Sequence, residues 1–291
     1  MRLATGRIDN RIAFGPVIGE ELCDIGADGR WACLADTLGA AQSAEVAKAA
    51  QRAPHVPIDE LTWLPPIPSP TRILCVGLNY TDHAAESDRA MGPLPPYPTI
   101  FTRFASSLVG HEVPIVRPNA SASFDYEGEL AVVIGETARG VSARDAMAVV
   151  AGYSCCMEGT LRDFQRHTSQ FIPGKNFDRS GSFGPWIVTP DEFDVASATL
   201  MTRVNGETVQ KTQISEMIHP MEALIEYCST FTTLAPGDVI ATGTPGGVGY
   251  ARTPPRWLLP GDIVEVEVSS IGVLRNAVVD EPTLTAQGTR P

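Results

Sequence analysis

Two glutamates separated by one residue are the sharpest chemical feature of this sequence. Glu127 and Glu129 stand at the start of an apolar strand pattern, FDYEGELAVVIG, so both side chains point to the same face of the strand. Paired carboxylates repel each other and raise each other's pKa, and a hard divalent ion with oxygen ligands relieves that repulsion. The alternative is a solvated strand face. The apolar residues that follow at once favour the metal site.

A third acid, Glu158, ends the apolar run VVAGYSCCM. Its carboxylate either is exposed at the tip of a strand or joins the first two as a third ligand. Three carboxylates would leave positions on the metal open for a bidentate substrate, as a catalytic metal requires.

The segment GLNYTDHAAE offers an acid–base pair, because His83 and Glu86 are three residues apart at the start of a short predicted helix. This spacing puts both side chains on one face, where the carboxylate can orient the imidazole. Such a pair can remove a proton from water. The alternative is an ordinary ion pair on a helix surface.

Two cationic side chains and a glycine-rich loop have open interpretations. Lys175, in a stretch rich in Gly, Ser and Phe rather than on a predicted helix, either extends to the surface or supplies a fixed charge for an oxyanion. Arg103 invites the same two interpretations, and an arginine there could bind a carboxylate bidentately. The loop GTPGGVG, residues 243–249, is either a tight turn or a source of backbone donors and the Thr244 hydroxyl for an anion.

The composition is that of a globular protein with many turns. The chain has 291 residues, 43% of them hydrophobic, with 26 glycines and 24 prolines. A net charge of -12 argues against nucleic acid or an anionic membrane as a partner. The N-terminus lacks the apolar core of a signal peptide, and the six scattered cysteines form no CxxC pair. We therefore expect a reduced, cytoplasmic protein with no membrane span.

The elements that must position these residues are mostly short strands. The sequence predicts a helix over residues 37–52, an extended proline-rich connector over residues 54–70, and helices around residues 143–150 and 216–230. Strand patterns occur at residues 72–80, 129–135, 238–243 and 262–279. Many strands with few helices predict a β-rich α+β fold. We expect a small N-terminal domain, residues 1–65, and a catalytic domain, residues 70–285.

The order of these motifs resembles the fumarylacetoacetate hydrolase superfamily over about residues 70–280. The resemblance rests on GLNYxxHxxE, FxRxxSSLVG, DYEGELAVVIG, GY…RDFQ, PGKNFD…FGPWIVT, VNGE, LxPGDVIATGTPxGVG and a closing PGDxVEVEV. It implies a mixed β-roll in the C-terminal domain, a small N-terminal α+β domain and a homodimer.

The resemblance also implies roles for individual residues. The acids matching the family's ligands to Mg²⁺, Mn²⁺ or Ca²⁺ are Glu127, Glu129 and Glu158. His83 and Glu86 match the pair that activates water, and Lys175 and Gln165 match residues that line the substrate. We expect further substrate contacts from Arg103, Thr244 and Tyr80.

This sequence departs from the family pattern in two places. The third metal position is usually Asp within an Asn-Asp pair, whereas here Met157 and Glu158 stand there. Arg103 and Phe104 stand where Lys-Pro is common. Both departures leave the superfamily assignment intact and change the expected shape of the site.

These observations predict a metal-dependent hydrolase that cleaves a carbon–carbon bond in an acylpyruvate-like β-diketo acid through a metal-stabilised enolate. Water activated by His83 would attack the distal carbonyl, and a pyruvate-type enolate would leave. A second hypothesis uses the same site for oxaloacetate decarboxylation, or for isomerisation or hydration of an unsaturated oxo-dioate. A third is a non-catalytic metal-binding dimer, against which the HxxE motif and Lys175 argue.

Overall fold

A large mixed β-sheet organises the computed structural model, which describes residues 1–39, 42–86 and 96–282. Its strands are β1 (Arg2–Ile8), β2 (Arg11–Ile18), β3 (Glu21–Cys23), β4 (His55–Pro57), β5 (Thr62–Trp63), β6 (Ile73–Gly77), β7 (Thr99–Thr102), β8 (Leu108–Val109), β11 (Gly128–Ile134), β12 (Val150–Met157), β14 (Gly181–Val188) and β17 (Val239–Ala241).

Two smaller sheets and short helices complete the described part of the chain. The five-stranded sheet contains β9 (Ile115–Arg117), β15 (Thr199–Val204), β16 (Glu207–Gln213), β18 (Ile263–Val268) and β19 (Gly272–Asp280), and a two-stranded ribbon contains β10 (Phe124–Asp125) and β13 (Thr160–Leu161). The α-helices are α1 (Ser43–Ala50), α2 (Thr81–Glu86), α3 (Ala143–Ala146), α4 (Arg162–Gln165), α5 (Ile172–Lys175) and α6 (Met221–Phe231). This is the β-rich α+β fold that the sequence predicts.

Strand β11 lies inside the large sheet and is buried along its whole length. It pairs antiparallel with β12 on one side and with β17 on the other, and β17 continues in parallel to β6. A strand covered on both faces is expected to be apolar throughout, which explains the run LAVVI. The ends of β6, β11, β12 and β17 carry the residues of the candidate site.

The N-terminal strands belong to the same sheet. The strand order is β4-β3-β2-β1-β14-β12-β11-β17-β6-β7, and β1 joins the N-terminal strands to the rest through β14. The division into domains of residues 1–65 and 70–285 remains a prediction. Residues 283–285 lie outside the described part of the chain.

Two local predictions need correction. The helix predicted for residues 37–52 is shorter: a 3-10 turn covers Leu34–Thr37 and α1 covers Ser43–Ala50, with residues 40–41 outside the described part. The proline-rich connector also joins the sheet, because β4 pairs with β3 and β5 pairs with β1. Proline is tolerated in β4 because this strand lies at the edge of the sheet, where no strand of the described residues pairs with its outer side.

Two further predictions concern cysteines and membranes. All six cysteines are free thiols, and Cys33 alone of the six is exposed. Within the described ranges, no helix is both long and apolar enough to cross a membrane.

Candidate metal and substrate site

Three buried carboxylates meet where β11 begins and β12 ends. Glu127 and Glu129 flank the first residue of β11, and Glu158 directly follows β12; the amide of Glu158 donates to the carbonyl of Glu127 at 2.8 Å. One carboxylate oxygen from each residue lies within 4.8 Å of the others. The three residues are 3%, 1% and 0% exposed. Neither a solvated strand face nor an exposed strand tip describes these acids.

The loop at residues 243–249 supplies backbone donors, and three of them donate to protein carboxylates. The amide of Gly243 donates to Glu129 at 2.9 Å, that of Gly247 to Glu86 at 2.8 Å, and that of Gly249 to Asp125 at 2.8 Å. Gly243 and Gly247 have φ values of 103° and 99°, which side-chain-bearing residues rarely adopt. The glycines therefore let one loop hold three acids around the site.

Lys175 lies inside the acid cluster rather than at the surface. It ends the one-turn helix α5, is 2% exposed, and its Nζ donates to Glu127 at 2.5 Å and to Glu158 at 2.6 Å. Its Nζ also lies 5.1 Å from the centroid of the Phe101 ring. This placement fits the predicted fixed positive charge. It does not fit the alternative of a surface lysine, nor the expectation that Lys175 lies outside a helix.

The charges of these groups depend on each other. Burial alone would raise the pKa of Glu127, but Lys175, Arg162 and His83 outweigh it and lower that pKa to about 2. Burial alone would lower the pKa of Lys175, but Glu127 and Glu158 raise it above its ordinary value. Burial, Glu158 and Glu127 raise the pKa of Glu129 well above its usual range. Lys175 is therefore a cation rather than a base, and its charge does not outweigh the burial and the two glutamates that raise the pKa of Glu129.

The cluster fits a divalent metal ion. Oε1 of Glu158 is buried and has no hydrogen-bond partner among the described residues, so an acceptor oxygen is left for another ligand. Three carboxylates are the hard oxygen donors that Mg²⁺, Mn²⁺ and Ca²⁺ prefer. Glu127, Glu129 and Glu158 are the residues that would hold such an ion.

Replacing Glu158 by glutamine should weaken metal binding, because the change keeps the side-chain length and removes one of three negative charges. We expect calorimetric titration with manganese to show at least a tenfold loss of affinity, since one charge-assisted ligand is worth more than about 1.4 kcal/mol. Glu60→Gln, at an exposed glutamate, is the control. Unchanged affinity in Glu158→Gln would mean that Glu158 is not a ligand and that Asp125 or Asp163 must be tested instead.

His83 and Glu86 face each other at the side of this cluster. His83 is 7% exposed, and its Nδ1 lies 3.9 Å from Oε2 of Glu86. Burial alone would raise the pKa of Glu86, but the nearby His83 imidazole and the hydrogen bonds from the Gly247 and Val248 amides lower it. The buried imidazole excludes an ordinary surface ion pair, and Glu86 stays anionic beside it.

The turn before α2 sets the direction of His83. The side-chain amide of Asn79 donates to the carbonyls of His219 and Thr242 at 3.0 and 2.7 Å, and its oxygen accepts from the His219 amide at 2.7 Å. These bonds tie the start of α2 to the end of β17. They thereby fix the turn that precedes the helix carrying His83.

A cavity of about 230 Å³ connects these groups. Its described lining includes His83, the three glutamates, Lys175, Gln165 and Thr244. Seven of the ten residues predicted for the site therefore share one cavity. Thr244 Oγ1 donates to the Gly128 carbonyl at 3.0 Å and accepts from Gln210 at 2.8 Å, which fixes its orientation.

The other three predicted residues lie beside this cavity and not on its described lining. Arg103 is buried, 3.9 Å from Glu158, and donates to the Gly159 carbonyl and the Ser107 and Ser180 hydroxyls. Its placement favours support of Glu158 over direct contact with substrate. Tyr80 and Glu86 line a neighbouring cleft, where burial, Glu129 and Glu216 raise the pKa of Tyr80.

Sequence reasoning missed Arg162 and its partner Asp125. Arg162 Nε donates to Asp125 at 2.7 Å, while Nη1 lies 2.6 Å from Glu127 and donates to Gln165 at 3.0 Å. Nη2 of Arg162 is buried at the cavity and has no hydrogen-bond partner among the described residues. The available signal was the charged pair that opens RDFQ, a few residues after the apolar run VVAGYSCCM. A buried, partly unsatisfied guanidinium at a cavity favours an anionic ligand.

This chain is similar to known proteins along most of its length. The family profile for the C-terminal domain of fumarylacetoacetate hydrolase matches residues 72–279. A mitochondrial oxaloacetate tautomerase of Homo sapiens is 40% identical over 277 residues, which cover 94% of this chain and 84% of that protein.

Solved structures show the same fold. A fumarylacetoacetate hydrolase from Exiguobacterium antarcticum superposes with a TM-score of 0.84 at 36% identity, covering 97% of this chain and 100% of that one. A maleylpyruvate hydrolase from Sphingobium sp. SYK-6, solved with manganese and pyruvate, has a TM-score of 0.80 at 28% identity and the same coverage.

Proposed function

Because this chain belongs to the fumarylacetoacetate hydrolase family, a family of enzymes, we propose that it enolises a small α-keto acid of the oxaloacetate class. One observation carries the proposal. His83, whose imidazole can take and give a proton, lines the same cavity as the three-glutamate cluster. A proton carrier beside a cation site is the arrangement that enolisation requires.

The cavity can hold and polarise an α-keto acid. Glu127, Glu129 and Glu158 would hold a divalent ion, and the ion would supply positive charge to polarise a ketone. Lys175 keeps a second positive charge next to two of those acids, and Nη2 of Arg162, which has no partner among the described residues, offers a donor to the substrate. The Lys175 ammonium and the Arg162 guanidinium stabilise the negative charge that develops on the ketone oxygen.

His83 then moves the proton. It removes a hydrogen from the carbon next to the ketone; the C–H electron pair becomes the carbon–carbon double bond, and the ketone oxygen takes the negative charge. The same imidazole returns the proton to that oxygen, which completes the keto–enol exchange. Glu86, held by the Gly247 amide, lies opposite Nδ1 and stabilises the imidazolium between the two transfers.

Hydrolysis of an acylpyruvate remains the second candidate. The His83–Glu86 pair can equally activate water, as the sequence suggested, and the maleylpyruvate hydrolase structure shows a related chain with manganese and pyruvate bound. The first candidate is favoured because the oxaloacetate tautomerase matches at higher identity, over nearly the whole chain.

A substrate panel separates the two candidates. With magnesium or manganese present, we expect the purified protein to accelerate keto–enol exchange of oxaloacetate, followed by ultraviolet absorbance of the enol. Acylpyruvates and hydroxymuconate-type acids serve in parallel as substrates for hydrolysis and isomerisation. Rapid cleavage of an acylpyruvate without acceleration of oxaloacetate enolisation would replace the first candidate by the second. Normal metal binding without turnover on the whole panel would favour a non-catalytic metal-binding protein.

We also propose Mg²⁺ or Mn²⁺ as the working ion and a homodimer as the assembly. Support for the ion comes from the three hard ligands and the manganese-bound relative. Sedimentation equilibrium at micromolar protein tests the assembly, and a mass of one chain would contradict it.

A further inference from the structure

Gln210 is a buried amide that links the five-stranded sheet to the three-glutamate cluster. It lies on β16, is 2% exposed and is not on the described lining of the cavity. Its side-chain oxygen accepts from the Gly128 amide at 3.0 Å, and its side-chain nitrogen donates to Thr244 Oγ1 at 2.8 Å and to the Pro245 carbonyl at 2.9 Å. Both N–H groups of the side-chain amide are used, so its orientation is fixed.

Gly128 separates two of the three glutamates, and the five-stranded sheet packs directly against it. A Cβ at this position would overlap Oγ1 of Thr202 on β15, so a larger residue would require the neighbouring sheet to shift. Thr202 is the register partner of Gln210. The glycine between Glu127 and Glu129 therefore lets β15 and β16 reach the backbone that joins these two acids.

A change of register directs Gln210 into this contact. Thr202 pairs with Gln210, but the next residue of β15 pairs with Thr208. Val209 is therefore an extra residue in β16, and such a bulge turns a strand and re-aims its side chains. Val209 and Gln210 are both buried, although successive residues of a regular strand point to opposite faces. The bulge explains how Gln210 departs from the usual alternation of its strand.

Gln210 also fixes the direction of the Thr244 hydroxyl. A hydroxyl has one hydrogen, and an oxygen that accepts from Gln210 must direct that hydrogen elsewhere. Thr244 Oγ1 donates to the Gly128 carbonyl at 3.0 Å, and the preceding amide, that of Gly243, donates to Glu129 at 2.9 Å. Gly128 is therefore held at its amide by Gln210 and at its carbonyl by a hydroxyl that Gln210 orients.

We propose that Gln210 is a positioning residue that sets the spacing of the metal ligands Glu127 and Glu129. The two peptide groups between these glutamates are fixed, one through the Gly128 amide and the other through the Gly128 carbonyl. Ligands that are ordered in advance hold an ion more tightly, because binding then carries less of the entropy cost of ordering them. The inference rests on the metal role of the cluster in the proposed function, and it does not depend on which reaction follows.

Gln210→Met tests the proposal, because methionine has a similar length and makes none of the three hydrogen bonds. We expect calorimetric titration, carried out well below the Tm, to show a manganese Kd about tenfold higher than that of the wild type. Gln213→Met, at an exposed glutamine on the same strand, is the matched control. It should bind manganese with wild-type affinity, since the Gln213 side chain caps the turn Ile214–Glu216 instead.

The metal-free protein gives a second readout, which a purely structural role would not produce. Amide hydrogen exchange, followed by NMR in chelated protein, compares Gly128 with Val132 in the middle of the same strand. In Gln210→Met we expect exchange at the Gly128 amide to be about tenfold faster, and exchange at the Val132 amide to keep its wild-type rate. A general loss of stability would instead speed exchange at both amides.

Thr244→Val tests the same link without a change in β16. Valine has the shape of threonine but lacks the hydroxyl that Gln210 orients towards Gly128, so the manganese Kd should rise roughly 2- to 10-fold. Because both side chains act on Gly128, the double variant should lose less affinity than the product of the two single losses.

These results separate the role of Gln210 from the proposed reaction. A higher manganese Kd in Gln210→Met, with no enolisation by the wild type, would contradict the proposed function and support the role of Gln210. Wild-type affinity in both Gln210→Met and Thr244→Val would overturn that role, whatever the activity. Equal acceleration of exchange at Gly128 and Val132 would also overturn it, because Gln210 would then only stabilise the fold. Failure of the wild type to bind manganese would overturn both proposals.

Discussion

His83→Ala should lower the enolisation rate by roughly 10²–10⁴-fold, the usual contribution of a positioned acid–base group. His83 lines the cavity beside the three glutamates, while Lys175 is held as a cation by Glu127 and Glu158 and is unsuited to remove a proton. The loss should appear in kcat, because alanine removes the proton carrier and leaves the carboxylate cluster in place. Steady-state kinetics on oxaloacetate, with manganese affinity measured in parallel, check this result.

His55→Ala is the matched control, because His55 is an exposed histidine that pairs with Glu21 in the N-terminal part of the sheet. It should keep wild-type kinetics. Near wild-type enolisation in His83→Ala, with metal still bound, would show that another group moves the proton. If the variant kept enolisation but lost acylpyruvate cleavage, His83 would serve water activation, as the second candidate requires.

The three-glutamate cluster was predictable because its signals are local. Glu127 and Glu129 share a face through the two-residue period of a strand, and Glu158 ends an apolar run that becomes β12. The two segments come together through the antiparallel pairing of β11 with β12, which the sequence did not predict. The metal-ligand prediction therefore combined a local pattern with the set of three acids that the resemblance to a known family implied.

The cationic residues were harder to predict because their positions depend on tertiary contacts. Arg162 is buried by its bonds to Asp125 and Glu127, residues more than thirty positions earlier in the chain. From the sequence we expected Arg103 to bind substrate. In the structure its guanidinium donates to oxygens of Ser107, Gly159 and Ser180, which hold it beside Glu158. A single sequence shows the position of a charged residue in the chain, but it does not show which oppositely charged or polar groups lie beside that residue in the fold.

The same distinction applies to the fold. Buried strands such as β11 and β17 have continuous apolar runs and were recognised, whereas the helix at residues 37–52 was predicted too long from composition alone. The proline-rich segment contains two short strands, because its backbone pairs with β1 and β3. Local sequence patterns do not reveal these pairings.

Removing divalent metal should abolish activity completely, and this is the largest effect we expect. The carboxylate cluster would then keep Lys175 as the counter-charge for Glu127 and Glu158, while the pKa of Glu129 would stay well above its usual range, because burial and those two glutamates outweigh the Lys175 charge. Treatment with a chelator, with metal content checked by elemental analysis, should remove oxaloacetate enolisation. Added Mg²⁺ or Mn²⁺ should restore it.

Thermal unfolding gives the same test without turnover. An ion that binds only the folded state stabilises it by about 2.7 kcal/mol at roughly 100 times its Kd, so manganese should raise the Tm of the chelated protein. The Tm of the Glu158→Gln variant should rise less on addition of manganese, because this variant retains two of the three anionic ligands. The Tm of Glu60→Gln should rise as much as that of the wild type. Full activity in protein shown to be free of metal, together with an unchanged Tm on addition of manganese, would contradict both the assignment of the cluster and the mechanism built on it.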